Sequence, residues 1–198
     1  MGDIVPDTLE IIADEVRKCT LCKLCEKRTN AVPGEGSRSA KLMFIGEAPG
    51  RNEDEQGRPF VGAAGKLLTE ALEEAGLARE DVFITNVVKC RPPDNRVPTD
   101  QERASCRPYL EQQIKLINPK VICILGRTAY EALLKGGSIT SNRGKLIQYE
   151  KRFYFLTVHP AAVIYNPQLK SVFKKDIVNL VDALKKLEAK KGSLEEYL

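Results

Sequence analysis

The sequence predicts an α/β protein, a three-layer α/β/α sandwich around a four-stranded, mainly parallel sheet. Apolar, β-rich runs alternate with helical periodicity along the chain, the order that parallel βα units produce. Each run is also near-continuously apolar at its centre, as a strand covered on both faces requires.

A first helix is expected from an N-cap at Asp7, with Glu10 three residues on, ending close to Cys19. The four predicted strands occupy residues 41–46, 82–89, 121–125 and 153–158. Between the first two, residues 66–75 place Leu67, Leu68, Ala71, Leu72 and Ala75 on one helical face, and Gly76 follows where a left-handed cap is wanted. Thr99 and Glu102 form a capping box, and Leu110, Ile114 and Ile117 continue that helix to Asn118-Pro119. A last helix is expected over residues 173–190, its lysines forming a solvated face.

With 198 residues, 42% of them hydrophobic, the chain has material for one substantial core, so a single domain over residues 1–198 is expected. No run approaches the length of a membrane span, and residues 1–7 lack a basic region followed by an apolar stretch. This predicts a soluble, cytoplasmic protein with no membrane partner. The net charge of +4 permits nucleic-acid binding without demanding it, because local basic patches do the gripping.

Six cysteines in such a chain favour metal binding over disulfides. Cys19 and Cys22 form one pair, Cys90 and Cys106 a distant second, so a shared site would staple the N-terminus to a mid-chain loop. Cys22 and Cys25 have ligand-like spacing too, and spacing alone does not choose between them. Four thiolates suit zinc and an iron–sulfur cluster equally. Cys123 lies inside an apolar run and reads as a small buried side chain.

In open α/β sheets, ligands bind beyond the carboxyl ends of the strands. Gly46-Glu47-Ala48-Pro49-Gly50, Asn86, Gly126-Arg127-Thr128 and His159-Pro160-Ala161 all stand at such ends. The glycine-rich loop is no nucleotide cradle. Gly-x-Gly-x-x-Gly is absent after the first strand, and Gly65-Lys66 lacks the earlier P-loop glycine, whose place Phe60 takes.

Residues 46–54, Gly57-Arg58-Pro59-Phe60-Val61-Gly62, Thr85-Asn86-Val87-Val88-Lys89-Cys90-Arg91-Pro92-Pro93 and His159-Pro160-Ala161 resemble the family 4 uracil-DNA glycosylases. The resemblance spans roughly residues 19–167, with several separated motifs in the family's order. It implies a uracil-DNA glycosylase-like fold, a [4Fe–4S] cluster on Cys19, Cys22, Cys90 and Cys106, and a monomer acting on uracil in single- or double-stranded DNA. Cys25 is left free on that alignment.

The resemblance also assigns roles. Asn86 would read the Watson–Crick edge of a base taken out of the stack, Phe60 would stack on it, and Glu53 would crowd the edge where thymine carries its methyl. Ala48 and Gly50 belong to the same substrate loop. His159, the one histidine of the chain, would stabilise charge on the departing base. Family 1 relatives carry an aspartate where this chain has Ala48; Glu47 supplies a carboxylate one residue earlier, and family 5 relatives lack it. Glu47 and His159 are thus the catalytic candidates.

Arg91 is expected to touch DNA, with Val163 and Ile164 as apolar wedges entering the duplex. The tail, residues 191–198, resembles a degenerate sliding-clamp-binding motif, with Leu194 as plug and Tyr197-Leu198 as the terminal pair after a Gly-Ser break. A competing reading is a non-catalytic, metal-stapled nucleic-acid-binding module, which would have no use for a pocket shaped to uracil.

Overall fold

The computed structural model describes residues 8–134 and 142–195. In chain order its helices are α1 (Leu9–Lys18), α2 (Arg51–Gln56), α3 (Ala63–Glu74), α4 (Asp100–Ile117), α5 (Arg127–Leu133), α6 (Pro160–Tyr165) and α7 (Leu169–Glu195). The strands are β1 (Glu35–Gly36), β2 (Leu42–Gly46), β3 (Phe83–Asn86), β4 (Val121–Leu125), β5 (Leu146–Tyr149) and β6 (Arg152–Thr157).

These strands form one mixed sheet of six, in the order β1-β3-β2-β4-β6-β5. The four strands expected from the sequence are its centre and run parallel to one another. The expectation of a four-stranded sheet is corrected by two antiparallel edges, β1 on β3 and β5 on β6. Neither edge carries a buried apolar run: β1 has two residues, and Gln148 and Tyr149 of β5 are exposed. An edge strand needs no burial on both faces, so it leaves no such signature.

Alternation along the central strands builds two cores. Met43, Ile45, Ile122 and Ile124 face Ile12 and Val16 of α1, Leu110 and Ile117 of α4, and Ala129 of α5. Leu42, Phe44, Val121 and Cys123 face Leu68 and Leu72 of α3 and Phe173 and Ile177 of α7. Helices therefore cover both faces, as the three-layer expectation requires. Cys123 is fully buried in the second core. Among the described residues, no helix is long and apolar enough to cross a membrane.

Several boundaries differ from the sequence reading for local reasons. The cap of α1 is Thr8, whose Oγ1 accepts from Ile11 N at 3.4 Å, while Asp7 lies outside the described residues. The apolar run at 82–89 outlasts its strand, because beyond Asn86 the chain turns its amides to the neighbouring loop: Val87 N donates to Gly46 O and Val88 N to Glu47 O. Helix α7 begins before residue 173 and continues through Gly192-Ser193 to Glu195, so the expected break is absent there. Tyr197 and Leu198 of the expected clamp motif lie outside the described residues.

The capping box of α4 forms as expected. Thr99 Oγ1 accepts from Glu102 N, and the Glu102 carboxylate accepts from Thr99 N at 2.8 Å and from Arg96 at 2.7 and 2.9 Å. Thr99→Ala should lower stability by about 1 kcal/mol, read as a lower urea midpoint at unchanged slope; an unchanged midpoint would show that the cap does not hold this helix start.

Candidate active site

The carboxyl ends of β2, β3 and β6 open into one cavity of about 330 Å³. Glu47, Ala48, Gly50, Glu53, Phe60, Asn86 and His159 all line it, so seven residues scattered over more than a hundred positions meet at one place. The register makes this possible. Parallel pairing of β2 with β3 sets Gly46 opposite Asn86 at the strand ends.

Gly46 has no side chain for a steric reason. A Cβ there would lie 2.5 Å from Asn86 Oδ1 and 2.6 Å from the Phe60 ring, well inside contact distance. Phe60 itself is 6% exposed and takes a left-handed backbone, φ 50°, that is uncommon for a bulky residue. Its main chain packs on Gly65, where any Cβ would meet Phe60 O at 1.8 Å.

Glu53 holds this loop in place. Its Oε1 accepts from Val61 N at 2.9 Å and Gly62 N at 2.8 Å, and its Oε2 accepts from Gly50 N at 3.1 Å. One carboxylate thereby ties the 46–50 loop to the 60–62 loop, using charge-assisted bonds of the stronger kind. As an isolated residue Glu53 would have been placed in solvent; in the fold it is a bridge lining the cavity.

Asn86 is 1% exposed, and its Oδ1 has no hydrogen-bond partner. A buried acceptor left unpaired costs about 1–3 kcal/mol, so a ligand that donates to it recovers that cost. His159 stands across the cavity, its ring centroid 5.7 Å from that of Phe60. Its Nδ1 accepts from Ala161 N at 3.1 Å, which leaves the ring proton on Nε2. Burial pushes His159 down to about 4, against a smaller opposing pull from Glu53, so the imidazole is neutral at pH 7. The Glu47 carboxylate has no hydrogen-bond or ion-pair partner among the described residues.

Other expected site residues are placed differently. Val163 is 5% exposed and belongs to the second core, so it is no exposed wedge. Ile164 is 51% and Tyr165 90% exposed. The helical phase explains this: Pro160 and Val163 share the inward face of α6, whereas Ala161 and Tyr165, four apart, both line the cavity. Arg91 lies outside the lining and donates to Asn95 Oδ1 at 2.9 Å. The sequence reading missed Asn95, Arg96 and Tyr165 as lining residues. Only the helical phase of 160–165 could have singled out Tyr165.

A family model described as the uracil DNA glycosylase superfamily matches residues 33–183. The chain belongs to that superfamily. The type-4 uracil-DNA glycosylase of Saccharolobus solfataricus is 50% identical over 97% of this chain and 92% of its own length. That of Archaeoglobus fulgidus is 44% identical over 97% and 100%. A type-5 enzyme of Pyrobaculum aerophilum is 29% identical over 82% and 77%. The chain thus sits with the type-4 members, as its Glu47-bearing loop led one to expect.

A second, smaller cavity lies on the other side of β3, lined by Cys19, Cys22, Cys25, Cys90 and Cys106 together with Arg28, Lys89 and Tyr109. Arg28 donates to Cys90 Sγ at 3.0 Å, and Lys89 N to Cys106 Sγ at 3.4 Å. Burial pushes the Cys90 thiol up to about 11 and raises Cys22 and Cys106 too, so metal binding would have to displace their protons. Among the described residues, no three His, Cys, Asp or Glu side chains converge on a single ion position. Cys25 lines the cavity with the other four, so the geometry does not set it apart.

Because the unfolded imidazole titrates near 6.5 and the folded one near 4, the unfolded chain binds more protons in that window. Stability should therefore rise as pH increases from about 4 to about 6.5. In His159→Asn, whose oxygen can still cap α6, that slope should be shallower in urea titrations, and an identical slope would show that the imidazole does not titrate as its burial dictates.

Proposed function

We propose that the protein excises uracil from DNA, hydrolysing the N1–C1′ bond of deoxyuridine to release the base and leave an abasic site. The observation that carries this reading is Asn86, a buried amide with an unpartnered oxygen in a cavity that also holds an aromatic ring and a neutral imidazole. An amide oxygen accepts from uracil N3–H while its NH₂ donates to O4, whereas cytosine presents the reverse pair. A mismatched edge leaves buried polar groups unpaired, at about 1–3 kcal/mol each. A pure nucleic-acid-binding module has no need of such a cavity.

The base must leave the stack to reach it. Phe60 then supplies a stacking face, worth roughly 1–3 kcal/mol, and Glu53 narrows the C5 edge against thymine while holding both loops. His159, neutral with its proton on Nε2, donates to uracil O2 as negative charge builds on the departing ring. No proton needs to leave the histidine beforehand. As the N1–C1′ bond breaks, water attacks C1′ from the opposite side; its hydroxyl stays on the sugar and its proton completes the released uracil. Glu47, uncommitted at the cavity wall, orients that water or stabilises the cationic sugar.

Cys19, Cys22, Cys90 and Cys106 would hold a [4Fe–4S] cluster whose contribution is structural, stapling α1 to the loop that follows Asn86. Supporting this are the shared cavity and the donors that Arg28 and Lys89 aim at the Cys90 and Cys106 sulfurs. Ile164 and Tyr165, exposed at the rim, are suited to fill the gap in the duplex.

Anaerobically purified protein should convert a uracil-containing oligonucleotide to an alkali-labile product while a thymine control stays intact; an intact uracil strand would sink the reading. His159→Asn should slow single-turnover excision by about 10²–10³-fold, the range for losing a transition-state donor, with DNA affinity little changed. Glu47→Gln should also slow it, and an unchanged rate removes Glu47 from the chemistry. Cys90→Ser should lower bound iron and sulfide together with visible absorbance; full retention of all three would remove Cys90 from the ligand set.

A further inference from the structure

Between the base-reading cavity and the cysteine cavity lies a lysine that neither role explains. Lys89 is 1% exposed, and its side chain is among the largest fully buried ones. Its Nζ donates to Thr85 Oγ1 at 2.6 Å, Asn86 O at 2.8 Å and Gln113 Oε1 at 2.8 Å. The acceptors are themselves committed. Gln113 Nε2 donates to Pro33 O at 2.7 Å, which turns its oxygen to the lysine, and Thr85 donates its own proton to Pro33 O at 3.1 Å. Three acceptors around one nitrogen match the three N–H donors of the ammonium form; burial pulls this group down to about 7, and the Cys106 sulfur pulls it back up.

That ammonium has no carboxylate partner among the described residues. A buried charge without a counter-charge is strongly unfavourable, so something negative is expected nearby. The chain leads there directly. Lys89 lines the cysteine cavity, its backbone N–H donates to Cys106 Sγ, and the next residue is Cys90. Four thiolates around an iron–sulfur core carry net negative charge, and charges and donors near the sulfurs tune such a centre.

We propose that Lys89 is a positioning residue serving two sites with one ammonium. It supplies the internal counter-charge of the thiolate-held centre, and it fixes the Asn86 carbonyl, and so the base-reading amide, from beneath the cavity. The proposal rests on the reading of Asn86 and of the cysteines given above. Cluster occupancy and base recognition are thereby linked through a single side chain: the centre holds the charge in place, and the charge holds the end of β3.

The test compares wild-type holoprotein with Lys89→Met, which keeps the length and loses every donor, and Lys89→Gln, which keeps a donor and loses the charge. Loss of visible absorbance is followed under excess chelator, and single-turnover uracil excision is measured alongside DNA affinity. Both variants should lose absorbance at least fivefold faster than wild type. Lys89→Met should excise uracil at least tenfold more slowly at similar DNA affinity, and Lys89→Gln should recover at least threefold of that loss. Should Lys89→Met fail to fold, Lys89→Gln alone carries the absorbance comparison. Absorbance lifetimes and excision rates within twofold of wild type overturn the proposal. A wild-type protein that is colourless and leaves uracil in place instead fails the functional reading, and this proposal with it.

Discussion

Gly46 faces Asn86 at the end of the parallel β2–β3 pair, and the candidate active site follows from that register. Because Gly46 has no Cβ, the Asn86 amide and the Phe60 ring both occupy the space beside it. A slip of one residue would turn every side chain of the strand to the opposite face, sending Asn86 away from the cavity. The two cores on either side of the sheet forbid that slip, since Met43 and Ile45 on one face and Leu42 and Phe44 on the other are fitted to different helices.

Around this register the loops are tied by a few charged groups used as structural clamps. Glu53 gathers three amides from two loops, Asp54 accepts from Thr29 N and Asn30 N, and Lys89 gathers three acceptors beneath β3. Buried charges are tolerated when hydrogen bonds satisfy them, and they fix geometry where apolar contacts would allow sliding. The proposed role of His159 depends on that rigidity, because a transition-state donor acts only when held where charge develops.

The cysteines complete the same design from the other side of β3. One pair sits at the end of α1 and the next turn, the other on the loop and helix after Asn86. Ile12 and Val16 of α1 pack in the same core as Val87, Val88 and Cys90, and the cysteine cavity lies where these segments meet. A thiolate-held centre there, as proposed, would make the N-terminal segment part of the base-reading architecture.

How much of this was legible in advance follows from which signals are local. The central strands, α3, the Thr99 capping box and the left-handed Gly76 are written in short-range patterns of polarity and backbone freedom, and they appear where those patterns put them. The edge strands β1 and β5 and the polar α2 were not legible, because their residues have no buried stripe of their own; β1 is ordered by pairing with the distant β3, and β5 by pairing with β6. Motif order brought Glu47, Phe60, Asn86 and His159 to notice, and the fold gathers them in one cavity.

What the sequence determined by itself is the alternation of strands and helices, the residues at the strand ends and the family to which they belong. Tertiary structure alone decided that Glu53 bridges two loops, that Val163 is core while Tyr165 is exposed, and that Lys89 stands buried between the base-reading and cysteine cavities. The physical reason is that periodicity reports which face of an element is covered, whereas a polar group's partner depends on how the loops turn and which segments meet in the fold, which no periodic pattern encodes.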